Sequence, residues 1–328
     1  MKLALVRGQA GALSVLARAA VSGRVASAYL FSGPRGVGKR TAARAFAAAL
    51  LCDAATSAGA CGDCRACRKV DHGTHPDLVV VQTLEDKNQI AVEQVRQEIV
   101  AHIPYSPYEA ARRIVVLPAA DELSISAANS LLRSMEEPGA HTHFVLVSSE
   151  AHRLLPTVRS RCQEVRFLPL ADALVIELLA LRGITGPDAR RAVAFAGGSV
   201  GEALRRAKGD LAAYLETAEA LDVAAGAGLR PQIEIAAKVA KERKASLPEI
   251  LEAWLLLRRD VLRAGEGASD DALLVTGDPA ALRRRAIAMG PMARVRGLEA
   301  VHEAIVALER NANAELVLDR ALMDVGGA

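Results

Sequence analysis

Hydrophobic positions in the first half of the chain follow two rhythms. Short, nearly unbroken apolar runs fall at 28–32, 77–81, 113–117, 144–148 and 165–168. Runs of four or five residues rich in Val, Ile, Leu and Phe predict strands buried on both faces. Between them, helical spacing predicts helices over 39–51, over 91–101 (through Val92, Val95 and Ile99) and over 126–135. The last is stopped by Glu136-Glu137-Pro138-Gly139. Strands that alternate with helices imply right-handed crossovers and a parallel sheet covered on both sides. After Pro169 the strand rhythm ends and helical periodicity dominates. Breakers at 183–187 and 197–198 cut out a unit of two or three helices. Longer amphipathic helices follow from about residue 210, the last expected over 294–325.

Composition adds limits. A chain of 328 residues predicts two or three domains. Half the residues (51%) are hydrophobic but only 3% are aromatic, so Ala, Leu and Val must build the cores. The net charge of +3 argues against a protein coated by polyanion. No apolar run approaches 18 residues, and Lys2 and Arg7 are not followed by a sustained apolar stretch, so neither a membrane span nor a secretion signal is expected. The expectation is a cytoplasmic protein.

Gly33-Pro34-Arg35-Gly36-Val37-Gly38-Lys39 fits G-x-x-x-x-G-K between a predicted strand and a predicted helix. Gly33, Gly36 and Gly38 let backbone amides turn toward a phosphate, and Lys39 would neutralise its outer oxygens. The bland alternative is a glycine turn without a ligand. The next position normally carries the Ser or Thr that holds Mg²⁺, but here it is Arg40. Thr41 is one place on, about 100° around the helix, and should point away. The strand at 113–117 runs into Pro118-Ala119, where a hydrolytic site needs carboxylates; Asp121-Glu122 lie past the strand end and read as caps of the next helix.

Four of the five cysteines fall within sixteen residues, as Cys52-x₈-Cys61-x₂-Cys64-x₂-Cys67. In a cytosolic chain this clustering indicates a metal rather than disulfides. Four thiolates suit tetrahedral zinc and leave no open position for catalysis. An iron–sulfur cluster uses similar ligands, but nothing in the sequence suggests electron transfer. Cys162 reads as a packed thiol, and His72, His75, His141 and His143 as solvated loop residues.

A set of segments together resembles subunits of clamp loaders of the AAA+ class, over nearly the whole chain. They are Gly23-Arg24 with 28–34, the four cysteines, 127–132 with Glu136-Glu137-Pro138, 155–162 ending in Ser160-Arg161-Cys162, and Asn311-Ala312-Asn313 with Leu316 and Leu318. The resemblance implies an α/β P-loop domain with a zinc module over 1–168, a helical lid over 169–208 and an all-α collar over 209–328. It implies ring partners of the tau/gamma and delta types, with the sliding clamp and primed DNA reached through the complex. ATP-hydrolysing relatives carry Ser or Thr after the P-loop lysine, Asp-Glu after the strand matching 113–117 and an arginine in Gly-Ser-x-Arg. This chain has Arg40, Pro118-Ala119 and Gly198-Ser199-Val200-Gly201. A non-hydrolysing partner is therefore implied, although Lys39 and its glycines keep the means to bind ATP without turnover. From its neighbours alone, Arg161 reads as one arginine in a basic stretch with Arg153, Arg159 and Arg166. The resemblance makes it an arginine finger, reaching the γ-phosphate held by an adjacent subunit. Two competitors remain. An active tau/gamma-like ATPase would need Thr41 or Glu122 to substitute for missing ligands. A nucleic-acid module on the cysteine loop is opposed by the small net charge and scarce aromatics.

Overall fold

Each apolar run becomes a strand of one parallel sheet: β1 (Ala28–Ser32), β2 (Leu78–Val80), β3 (Arg113–Leu117), β4 (Thr142–Val147) and β5 (Gln163–Arg166). Their order is β2-β3-β4-β1-β5, and every neighbouring pair is parallel. The computed structural model describes residues 2–84, 87–139, 141–273 and 278–327 and divides into two compact units, Met1–Ala171 and Asp172–Ala328.

In the first unit, the period-2 alternation of each strand sends its side chains to two separate cores. Tyr29 and Phe31, Ile114 and Val116, and Val145 and Val147 face one core with α1 (Ala10–Ser22), α2 (Lys39–Leu51) and α3 (Arg65–His72). Ala28 and Leu30, Val115 and Leu117, and Phe144 and Leu146 face the other with α4 (Val92–Glu98), α5 (Ile125–Glu136) and α6 (Pro156–Arg159). The few aromatics are concentrated beneath α2: Phe46 meets the edge of Tyr29 at 5.1 Å, and Phe31 lies 5.3 Å from Phe167. The central helix of this core, α2, is alanine-rich, so it approaches the sheet closely and the aromatics fill the remaining volume.

Three elements differ from the periodicity. The first is α1, whose buried stripe of Ala12, Leu16 and Ala19 gives little hydrophobic contrast. Second, β5 begins two residues before its apolar run, because Gln163 pairs with Tyr29 at the sheet edge, where polar side chains are exposed. Third, the helix at 91–101 ends at Glu98 and continues as a 3₁₀ turn over Val100–His102.

A buried carboxylate fixes the segment that leads into β3. Asp77 accepts from the backbone amides of Tyr108, Glu109 and Ala110 at 2.6, 2.8 and 2.9 Å. Buried Arg113 donates to the carbonyls of His102, Tyr105 and Ser106 in the same segment. His75 is buried too, with Nδ1 accepting from the Asp77 amide at 3.1 Å, and His143 lies within β4; these two are not solvated loop residues. Burial alone would push the Asp77 carboxyl up, but the three amides hold it below its ordinary range. A depressed carboxyl stabilises the fold above its unfolded value near 3.9, and that contribution is lost as pH falls through the folded value. Asp77→Asn should therefore cost about 2–3 kcal/mol at neutral pH and flatten acid unfolding below about pH 4, in urea titrations across pH. An acid profile identical to the parent's would refute this.

The second unit is helical throughout its described residues: α7 (Asp172–Ala180), α8 (Gly186–Ala196), α9 (Val200–Arg206), α10 (Leu211–Ala225), α11 (Leu229–Glu242), α12 (Leu247–Gly265), α13 (Pro279–Ala288), α14 (Pro291–Glu309) and α15 (Ala314–Gly326). The single long helix expected over 294–325 is two. Asn311 takes a left-handed φ of 61°, and Asn313 caps α15 by accepting from the amides of Glu315 and Leu316. The core of this unit holds charge as well as alkyl groups. Asp222, buried on α10, accepts from Trp254 Nε1 at 2.5 Å and pairs with Arg258 and Arg285. The Arg258 guanidinium lies against Gly297, where a Cβ would come within 1.8 Å of Nη2.

Candidate functional site

The glycine loop sits between β1 and α2, as its motif predicts. Gly33 has φ 135°, and a Cβ there would stand 2.1 Å from the Phe167 carbonyl oxygen, so only glycine fits. Gly38, at φ 101°, is the N-cap of α2 and offers no side-chain acceptor to the first helical amides. Gln9, which no local pattern marks, fastens the loop from behind. Its amide nitrogen donates to the carbonyls of Val37 at 3.3 Å and Leu168 at 2.7 Å, and its oxygen accepts from the Leu168 amide at 3.1 Å.

Lys39 is only 4% exposed, and its ammonium turns back onto the loop. Its Nζ donates to the carbonyls of Gly33 and Pro34 and to Ser149 Oγ at 3.3 Å. Burial pushes its pKa down to about 8, against the pull of the Asp121 carboxylate. All three of its donors thus have partners inside the protein. Arg40 projects from the first turn of α2, and its Nε donates to the Pro118 carbonyl at 2.9 Å. The residue standing where a metal-holding hydroxyl belongs therefore bonds to the residue standing where a carboxylate belongs. Thr41 is exposed to solvent.

Asp121 and Glu122 do not cap the following helix. They form a separate 3₁₀ turn, Ala120–Glu122, while Ser124 caps α5 by accepting from the Ala127 amide. Asp121 accepts from the Ser149 amide at 3.3 Å, and Glu122 accepts from Thr83. Both acids are thus tied to neighbouring loops. In the second unit, Ser199 caps α9, and Arg206 is held by Glu202, by Glu252 at 2.5 Å and by the face of Phe195.

The four cysteines converge, with all their sulfurs within 4.8 Å of one another. Cys52 ends α2 and Cys64 caps α3, so two helix termini supply ligands at fixed positions. Cys61 lies 3.9 Å from Cys67, and Cys64 lies 3.9 Å from Cys52. Backbone amides aim at the sulfurs: those of Ala54 and Cys61 at Cys52, that of Cys64 at Cys61, and that of Cys67 at Cys64. Amides of Asp63 and Cys64 bring the Cys61 thiol down to about 6, while burial pushes Cys67 up to about 12. This group could hold a metal ion. Cys162 is remote from it, and burial alone pushes its thiol up to about 12, as suits a packed side chain.

Arg161 follows α6 at the other end of the sheet. β5 runs parallel to β1 with Gln163 beside Tyr29 and Arg166 beside Ser32. The glycine loop leaves the far end of β1, whereas Arg161 enters before the near end of β5. At about 3.3 Å per residue the two are separated by roughly 15–20 Å along the sheet. The Arg161 side chain is 37% exposed, pairs with Glu136 at the end of α5, and donates from Nη1 to the Thr157 carbonyl at 3.0 Å. Among the described residues no helix is long and apolar enough to cross a membrane.

Comparison with known proteins bears on the first unit most directly. The family profile described as "DNA polymerase III, delta subunit" matches residues 8–171, half of the chain. The chain is 44% identical over 149 residues to the DNA polymerase III subunit delta' of Pseudomonas aeruginosa, covering 45% of each protein. It is 34% identical over 187 residues to the corresponding Bacillus subtilis subunit, covering 57% of this chain and 55% of that one. The aligned stretch thus spans about half the length of these relatives. A looser likeness, with 17% identity and a TM-score of 0.41, extends over 96% of this chain and 98% of a DNA polymerase III gamma subunit-related protein from Thermotoga maritima.

Proposed function

The chain belongs to the DNA polymerase III delta-subunit family, and from that premise we propose that it is a delta-prime-like clamp-loader subunit of the cytoplasm, a rigid partner that hydrolyses no ATP itself. It donates Arg161 to the ATP site of an adjacent tau/gamma-type subunit. With those subunits and a delta-type partner it helps a ring place the sliding clamp on primed DNA. In this reading residues 169–208 form a lid and 209–328 a collar that holds the ring together.

The observation that carries this reading is the separation of Arg161 from the chain's own glycine loop. An arginine roughly 15–20 Å away along the sheet is badly placed for a phosphate on that loop, which supports a target held by another chain. The state of the loop agrees: Lys39 is satisfied by loop carbonyls, and Arg40 is bonded to Pro118. An active tau/gamma-like ATPase would need a carboxylate at the end of β3, where Pro118 and Ala119 stand. ATP turnover is the test. The chain alone should show none above background, and adding it to its tau/gamma-type and delta-type partners should raise theirs. Turnover by the isolated chain would reverse the assignment.

The proposed occupant of the cysteine cluster is one structural zinc. Four sulfurs about 2.3 Å from a tetrahedral zinc stand ~3.8 Å apart, and two of the observed pairs are 3.9 Å apart. A set of four thiols leaves no position for substrate, so the ion's role is to pin the segment between α2 and α3.

A further inference from the structure

Glu136 ends α5, beside the negative pole of that helix, where a carboxylate is unfavourable and a cation is favoured. Its carboxylate pairs with Arg161, which comes from a different part of the chain. The same guanidinium donates from Nη1 to Thr157, a carbonyl in the last turn of α6. Arg161 is thus gripped on two nitrogens by the ends of two helices. A guanidinium has five N–H donors, and these contacts engage one on Nη1 and one on Nη2. Among the described residues that leaves Nε–H and one N–H on each terminal nitrogen to meet a phosphate. Both side chains of the pair are more than a third exposed, at 37% and 46%. Such pairs contribute little to folding, so stability does not account for the arrangement.

We infer that Glu136 is a positioning residue for Arg161: it holds the guanidinium extended from the end of the sheet, with its free N–H edge turned to the neighbouring subunit. This rests on the reading of Arg161 as an arginine donated in trans. A free arginine side chain samples many rotamers, and fixing it before the partner arrives removes that ordering from the hydrolytic step. Glu136 touches neither nucleotide nor phosphate and acts only through Arg161.

The test is a double-mutant cycle in the loader reconstituted with its tau/gamma-type and delta-type partners. Glu136→Ala should slow hydrolysis at the site Arg161 serves roughly 10-fold, read as that site's share of ATP in pre-steady-state hydrolysis, with ATP affinity unchanged, since the nucleotide site lies in the partner. Glu136→Gln, which keeps an oxygen acceptor for the guanidinium, should recover most of that loss. In an Arg161→Ala background, Glu136→Ala should have no further effect. Thermal melting of each free variant and its assembly by gel filtration should match the parent, and Glu136→Gln keeps the cycle readable if the alanine variant assembles poorly. If Arg161→Ala lowers turnover while Glu136→Ala is neutral, stimulatory or additive with it, the positioning role is wrong and the trans arginine stands. If Arg161→Ala itself leaves turnover unchanged, the underlying reading fails.

Discussion

Arg161→Ala should slow ATP hydrolysis at the site it is proposed to serve by about 10³–10⁵-fold, the range associated with arginines donated to phosphoryl transfer, while this chain stays folded. Charge develops on the γ-phosphoryl oxygens in the transition state, and a guanidinium arriving from another subunit stabilises it without a reorganised solvent shell. Loss of the side chain forfeits a partly exposed pair with Glu136, worth about 1 kcal/mol or less to folding, and an exposed hydrogen bond to the Thr157 carbonyl. Arg161→Lys should recover little, because an ammonium cannot present the planar fork and would not bridge Glu136, Thr157 and a phosphate at once. The measurement is pre-steady-state hydrolysis in the reconstituted loader, in which the share of ATP belonging to this site should leave the fast phase. An unaltered fast phase in a loader that still assembles would exclude the role.

Loss of the ion proposed for the cysteine cluster is the second large expected effect. Chelation, or Cys64→Ser, should cost more than about 4 kcal/mol, a size seen for loss of a structural metal, and lower Tm by on the order of 10 °C or more. The eight residues of α3 are too few to hold a helix alone. Apart from the cysteine cluster, its ties among the described residues include the buried side chain Val70, the pairs of Lys69 and Arg65 with Glu109, and the contacts of Arg44 with the Val70 and Asp71 carbonyls. Protons compete for the ligands. Burial pushes the Cys67 thiol up to about 12, and a metal binds thiolates, so loading would release protons and acid would oppose it. Metal analysis of reloaded protein should find one zinc per chain; a melting curve insensitive to chelator would overturn the structural role.

The sheet was readable because strands buried on both faces leave continuous apolar runs, and β1, α2 and β3 lie where the pattern puts them. Local chemistry was readable too: the glycine loop and the four cysteines carry their geometry in their spacing. What escaped depends on distant partners. Gln9 binds Leu168 across 159 positions, and neither end has a motif. The burial of Asp77 and Asp222 follows from amides and guanidinium groups brought to them by other elements, which no window of sequence contains. Spacing alone makes Asp121 and Glu122 look like helix caps, but Ser124, nearer α5, holds that position. The last helix was misread as continuous because its break turns on one left-handed asparagine. Arg161 was one of several arginines until a family resemblance singled it out, and only the parallel register of β5 with β1 separates it from the glycine loop.

That separation gives the subunit a direction. In the proposed reading one end of its sheet would hand out an arginine; at the other end, where a neighbour's arginine would be received, Lys39 is bonded to its own loop and Arg40 stands where a metal ligand belongs. A protein that both gives and receives can be repeated indefinitely around a ring or along a filament. One that gives without receiving can occupy only the last place in the series. In an assembly of such parts the proposed role would make this chain a terminator: it would complete one catalytic site without adding another, and its partners would set the number of working sites.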